Sequence, residues 1–186
     1  MSFEFIVIGT SLGGLSALQI LLSNLPANFI VPIAIVQHRH KNSNGNLQGL
    51  LQAKSVLPIQ EVEDKDEILP GKVYLAPPDY HLLVERGYFA LSTDEPVSYA
   101  RPSIDVLFES VADIYAEQVI GVILTGANQD GTEGLKKVKA RGGMTIVQEP
   151  ATAESEIMPA AAISGVKVDR ILPLVEIAQL LVKLCQ

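Results

Sequence analysis

Cysteine, positive charge and long apolar runs are all scarce in this chain. Its one cysteine, Cys185, rules out a disulfide framework or a thiolate metal cluster within a single chain, and a buried thiol in a helical pattern is expected there. With 14 Lys and Arg against 21 Asp and Glu, the net charge of -7 argues against nucleic-acid binding, which needs a basic face to displace counterions. The same deficit disfavours an anionic membrane surface. No continuous apolar stretch is long enough for a membrane span, and no basic segment precedes the first apolar run. A soluble, cytoplasmic protein without membrane insertion is therefore expected.

Ligand-binding motifs are missing too. No H-E-x-x-H or paired His and carboxylate spacing occurs, and the acidic run 61–67 lacks the glycine and the alternation of an EF-hand loop. No metal and no cofactor are expected. The first glycine-rich turn has no lysine at Walker spacing, and Ser11 stands where a dinucleotide fingerprint needs its second glycine.

The 186 residues, 48% of them apolar, suit one globular domain over 1–186. An apolar run at 5–8 leads through Gly9-Thr10-Ser11-Leu12-Gly13 into leucines at helical spacing (Leu15, Leu18, Leu21, Leu22, Leu25) that stop at Pro26. The β-branched run 30–36 reads as a strand covered on both faces, ending at Gln37-His38, with a short helix at 47–53. From 58 to 92 the texture changes to short alternating runs at 72–76, 81–85 and 88–92, read as a β-hairpin insertion or edge. Helical spacing returns at 104–115 behind a Ser103 N-cap, and a buried strand follows at 119–124. A helix at 131–140, a strand at 144–148, a short helix at 159–163, a strand at 166–171 and a closing helix at 174–184 complete the chain. The alternation predicts an α/β fold, a doubly wound, mostly parallel sheet flanked by helices with a β-hairpin insertion.

In such a sheet, chemistry gathers at the strands' carboxyl ends. Ser11 follows the first strand on a G-x-S-x-G turn, His38 ends the second, and Asp130 lies in the loop after the strand at 119–124. They form a nucleophile, a base and a carboxylate to orient the base. Taken singly, each also fits a structural role: a helix cap, a core-edge histidine, and a helix start at Asp130-Gly131. His40 reads as a loop residue, and His81 as part of the hairpin that could lean over the site.

These residues resemble the catalytic domain of CheB-type chemotaxis receptor methylesterases. The resemblance rests on residues 8–14, Gln37-His38, Leu69-Pro70-Gly71 with 74–77, Arg101-Pro102-Ser103-Ile104-Asp105-Val106-Leu107-Phe108, and 121–126 leading to Asp130-Gly131. It implies hydrolysis of γ-glutamyl methyl esters on the cytoplasmic domain of chemoreceptors, with deamidation of receptor glutamines as a further activity. Ser11, His38 and Asp130 match the family's triad in chain order. The backbone N–H groups of Leu12 and Ala127 are the candidates for the oxyanion hole.

Three departures stand out. Thr10-Ser11-Leu12 replaces the family's common Ala-Ser-Thr, residues 126–131 replace Gly-Met-Gly-x-Asp-Gly, and Arg39-His40 replaces the Met-Pro after the histidine. The alternative reading is thus a catalytically silent module that binds a receptor or signalling partner. An N-terminal receiver domain is also expected of the family, whereas this sequence starts close to its first strand. The resemblance then implies constitutive action or a separate regulatory partner. Arg39, His40 and Lys41 form a basic rim expected to steer an acidic substrate.

Overall fold

The computed structural model describes residues 2–39 and 45–185. Its centre is β1 (Phe5–Thr10), flanked by β2 (Ile33–Gln37) and β7 (Val119–Ile123), both parallel to it. The seven-stranded sheet runs β3-β4-β2-β1-β7-β8-β9 and every pairing is parallel. Here β3 is Ile59–Glu61, β4 Val73–Leu75, β8 Met144–Gln148 and β9 Arg170–Leu172.

Side chains alternate across a strand, so an apolar run such as Phe5-Ile6-Val7-Ile8 must be covered on both faces. Ile6 and Ile8 pack under α1 (Gly14–Ser23), α2 (Leu47–Gln52) and α6 (Leu174–Leu184), through Leu18, Leu51 and Leu181. Phe5 and Val7 face α3 (Ile104–Tyr115), α4 (Thr132–Ala140) and α5 (Ile157–Gly165), through Leu107, Leu135 and Ala162. The doubly wound reading from the sequence agrees with this arrangement. The hairpin is β5 (His81–Glu85) and β6 (Tyr88–Ser92), which adds Leu82, Val84 and Phe89 to the second core.

Some boundaries differ from those the sequence suggests. Strand β2 begins at Ile33, not residue 30, because Pro32 has no N–H to donate and only its carbonyl joins the ladder, accepting from Ile6 N–H at 3.0 Å. The run at 72–76 is no part of a hairpin: Val73–Leu75 sits inside the parallel sheet between β2 and β3. Strand β3 itself has too few residues for a period to show. The last strand shortens to Arg170–Leu172, and α5 extends beyond 159–163 at both ends.

After β4 the sheet continues as β7 on the far side of β1, from which β8 and β9 wind outward in order; on the other side β3 takes the edge before the chain returns as β4, between β3 and β2. A crevice opens at the carboxyl ends where the winding reverses. The loops after β1, β2 and β7 meet there.

Candidate active site

The end of β1 is fastened to the end of β7. Thr10 Oγ1 and Ser11 N–H both donate to the Thr125 carbonyl, at 2.7 and 3.0 Å. The chain then turns through Gly13, whose φ of 81° is left-handed, so that α1 starts at once. The Ser11 carbonyl accepts from Gly14 N–H at 2.9 Å and from Gln37 Nε2 at 2.8 Å, and Gln37 Nε2 also reaches the His38 carbonyl at 3.0 Å. Gln37 thereby ties the serine turn to the histidine. A Cβ on Gly14 would collide with the Gln37 amide oxygen, so glycine is required there for packing.

Ser11 and His38 line two adjoining clefts of about 480 and 720 Å³. His38 Nε2 lies 2.6 Å from Asp130 Oδ2, and Nδ1 lies 3.0 Å from Asn128 Nδ2. An ionised carboxylate only accepts, so Nε2 carries the proton and Nδ1 presents a lone pair to the Asn128 amide. The ring nitrogen free to act as base is accordingly Nδ1. Ser11 Oγ makes no hydrogen bond to another described residue.

Asp130 is only 2% exposed, and four donors surround it. Oδ1 accepts from Ser103 Oγ at 2.9 Å and Asp105 N–H at 3.0 Å, and Oδ2 accepts from Ile104 N–H at 2.7 Å as well as from His38. Burial alone would raise this carboxyl; the hydrogen bonds from His38, Ile104 and Asp105 prevail and hold it below the ordinary carboxylate range. Those backbone donors are the first N–H groups of α3, where helix geometry favours an anion. Asp105 returns the favour to α4, its Oδ1 accepting from Gly131 N–H at 3.0 Å and Gly134 N–H at 2.7 Å. Burial chiefly, with the nearby Asp130 charge, pushes Asp105 up to about 6. Each helix start is capped by a carboxylate from the other's segment.

The loop after β7 is bound back to the serine turn. Thr125 Oγ1 donates to the Leu12 carbonyl at 2.9 Å, and Ser155 Oγ to the Gly126 carbonyl at 2.8 Å. Neither the Leu12 nor the Ala127 amide donates to another described residue, and both residues are exposed.

Other residues singled out in the sequence have different places. His81 is buried, its Nδ1 accepting from Ser103 N–H at 3.2 Å and its Nε2 3.0 Å from the Glu95 carbonyl, so it supports the start of α3 and does not lean over the clefts. Ser103 caps α3 as expected, and its hydroxyl also serves Asp130. Arg39 is no free cation: its side chain is 12% exposed and pairs with Glu61 on β3 while reaching the Ala76 carbonyl. The expected steering rim loses that member, and His40 and Lys41 lie outside the described residues. Cys185 is buried, which raises its thiol to about 11. Among the described residues no three His, Cys, Asp or Glu side chains converge as a metal site. No described helix is long and apolar enough to cross a membrane. Sequence reasoning gave no role to Asn128, Gln37 or Asp105, although the last two sit inside the motifs that carry the resemblance.

The comparisons with known proteins agree with one another. A chain from Leptospira interrogans serovar copenhageni, provisionally named protein-glutamate methylesterase/protein-glutamine glutaminase, is 49% identical over 187 residues, covering 100% of this chain and 97% of the relative. A Thermotoga maritima protein-glutamate methylesterase/protein-glutamine glutaminase is 37% identical over 99% of this chain, which spans 55% of that relative. The crystal structure of the Thermotoga maritima CheB methylesterase catalytic domain superposes with a TM-score of 0.94 at 37% identity, covering 99% of this chain and 100% of that one. With residues 6–181 matching the family model described as CheB methylesterase, the chain belongs to the CheB methylesterase family.

Proposed function

We propose that the chain is a serine hydrolase that removes methyl esters from glutamate side chains of chemoreceptors, with Ser11, His38 and Asp130 as its triad. The observation that carries this reading is the 2.6 Å contact between His38 and the buried Asp130, made beside the clefts that Ser11 lines. The names of the relatives support the substrate class, protein-glutamate methyl esters and protein glutamines.

In the reaction, Ser11 Oγ attacks the γ-carbonyl carbon as His38 Nδ1 takes its proton. Asp130 keeps the Nε2 proton in place and stabilises the imidazolium. The oxyanion is received by the Leu12 and Ala127 N–H groups, each donor lowering the barrier by on the order of 3 kcal/mol. Collapse breaks the C–O bond, His38 returns the proton to the leaving methoxide, and methanol departs. Water, deprotonated by the same nitrogen, then hydrolyses the glutamyl-serine ester. A glutamine side chain enters the same cycle and releases ammonia.

The test is methanol release from a methylated receptor cytoplasmic fragment, with labelling of Ser11 by a fluorophosphonate as a second readout. Turnover by the unmodified protein and its loss in Ser11→Ala are expected. Binding of the fragment with neither methanol release nor labelling would replace this reading with that of a silent receptor-binding module.

A further inference from the structure

The 720 Å³ cleft that holds Ser11 and His38 has a second wall, formed by the turn between the hairpin and α3. In that turn Val97 and Ala100 exchange backbone hydrogen bonds at 3.0 and 2.9 Å, leaving Ser98 and Tyr99 as a two-residue tip. Both tip residues are left-handed, with φ of 50° and 64°. Two-residue turns of this kind are ordinarily filled by Asn, Asp and Gly, since an L side chain is disfavoured at positive φ. A tyrosine there is a cost to folding.

Among the described residues nothing offsets that cost, because Tyr99 is fully exposed, at 105%. The root of the arm, by contrast, is firmly held. Arg101 donates to the Thr93 carbonyl at 2.9 Å, the Asp94 carbonyl at 3.1 Å and Asp79 Oδ1 at 2.7 Å, and His81 Nε2 lies 3.0 Å from the Glu95 carbonyl. A rigid stem thus presents a bare aromatic ring beside half-exposed Val97, on the rim of the cleft that contains the candidate nucleophile. Unfavourable backbone kept at a site's edge is a feature of ligand clamps.

We propose that Tyr99 is a docking anchor for the polypeptide that carries the esterified glutamate, packing its ring against the residues flanking that side chain. The inference rests on the methylesterase reading and adds how a protein substrate is held. A small side-chain ester has no flanking chain to lay on this rim, whereas a polypeptide seated in the cleft that Ser11 and Tyr99 both line has one. Tyrosine suits the role, having a large rigid face, few rotatable bonds to freeze and a hydroxyl for the wet side of an interface.

The experiment compares two substrates: a methylated receptor fragment, and N-acetylglutamate α-amide γ-methyl ester, which has no flanking chain. In Tyr99→Ala the ratio of kcat/KM for the fragment to that for the small ester should fall by about tenfold or more, through KM, and Tyr99→Phe should restore most of it. The pair Ser98→Asn with Tyr99→Gly relieves the turn. It should melt no lower than the unmodified protein and show the same fall in the ratio, which separates anchoring from misfolding. An unchanged ratio in both variants, with both esters still turned over, would overturn the anchor alone. No turnover of either ester by the unmodified protein would overturn the methylesterase reading and the anchor with it. A dimer in solution that dissociates in Tyr99→Ala, with the ratio unchanged, would assign the ring to self-association and overturn the anchor too.

Discussion

Asn128 occupies the ring nitrogen of His38 that the proposed reaction needs: its Nδ2 lies 3.0 Å from Nδ1, while its Oδ1 accepts from Asp130 N–H at 3.0 Å. The side chain is therefore pinned at one end and donates at the other. Ser11 and Asn128 compete for a single lone pair, so the nucleophile is engaged only once the amide yields. Removing a hydrogen bond of this kind is worth about 1 kcal/mol, a several-fold effect on rate. Asn128→Ala should accelerate fluorophosphonate labelling of Ser11 by that factor. Asn128→Asp should slow it, because a carboxylate draws a proton onto Nδ1. Slower labelling in both variants would show that the amide is needed where it stands.

Asp130→Asn leaves a buried amide among four donors that require an acceptor. Its NH2 group must face either an N–H of α3 or the protonated Nε2 of His38, and in the second case the ring changes tautomer. Loss of kcat on the order of 10⁴ is expected. Destabilisation of about 2–4 kcal/mol should accompany it. Steady-state kinetics and urea unfolding measure the two effects, and a variant that kept wild-type kcat would remove Asp130 from the mechanism.

Asp105 makes stability depend on pH in the direction opposite to an ordinary capping carboxylate. Its folded value is raised from 3.8 to about 6, so between those values the native state keeps a proton that the unfolded chain has lost. Stability from this group is complete below the unfolded value and falls as pH rises through the folded one. The change is about 3 kcal/mol, nearly all of it passed by pH 7. Asp105→Asn keeps an acceptor for Gly131 and Gly134 without the charge. Its melting temperature, measured against wild type from pH 4 to pH 8, should gain relative to wild type as the pH rises. A gap that stayed constant would show that Asp105 is ionised throughout. Asp130 acts in the opposite sense: its depressed value means that its contribution is present above the unfolded carboxylate value and lost as pH falls through the folded one.

Gly14→Ala should damage catalysis through the packing of Gln37. The added methyl displaces the Gln37 amide, which holds both the Ser11 and His38 carbonyls. Overpacking of this sort costs about 1–3 kcal/mol of stability. On the small ester, kcat should fall more than KM rises. Gln37→Ala in the same background should add little further loss, because the two changes act on one contact.

The three candidate site residues were legible because each follows a strand that announces itself: Phe5–Thr10, Ile33–Gln37 and Val119–Ile123 are buried runs in adjacent parallel positions. Their common end of the sheet follows from topology, without any knowledge of side-chain contacts. What stayed hidden depends on pairs far apart in sequence. Arg39 looked like a steering cation because its partner Glu61 lies on a three-residue strand with no periodic signature. Asn128 stood in the sequence only as part of the altered 126–131 loop, since only the folded chain sets its amide against His38. Asp105 read as part of an amphipathic helix, and its bonds to Gly131 and Gly134 appear only once α3 and α4 are side by side.

The exchange of carboxylates between the starts of α3 and α4 couples architecture to chemistry. A lineage that lost Asp130 would loosen the junction of two helices as well as disarm a histidine, so drift at this position cannot pass unnoticed by folding. Residues 127–129 are each exposed and supply no carboxylate to either helix start, and within them the Asn128 side chain is the one that meets His38. Divergence in activity should therefore be sought in those three residues, while the acid beneath them stays where the scaffold requires it.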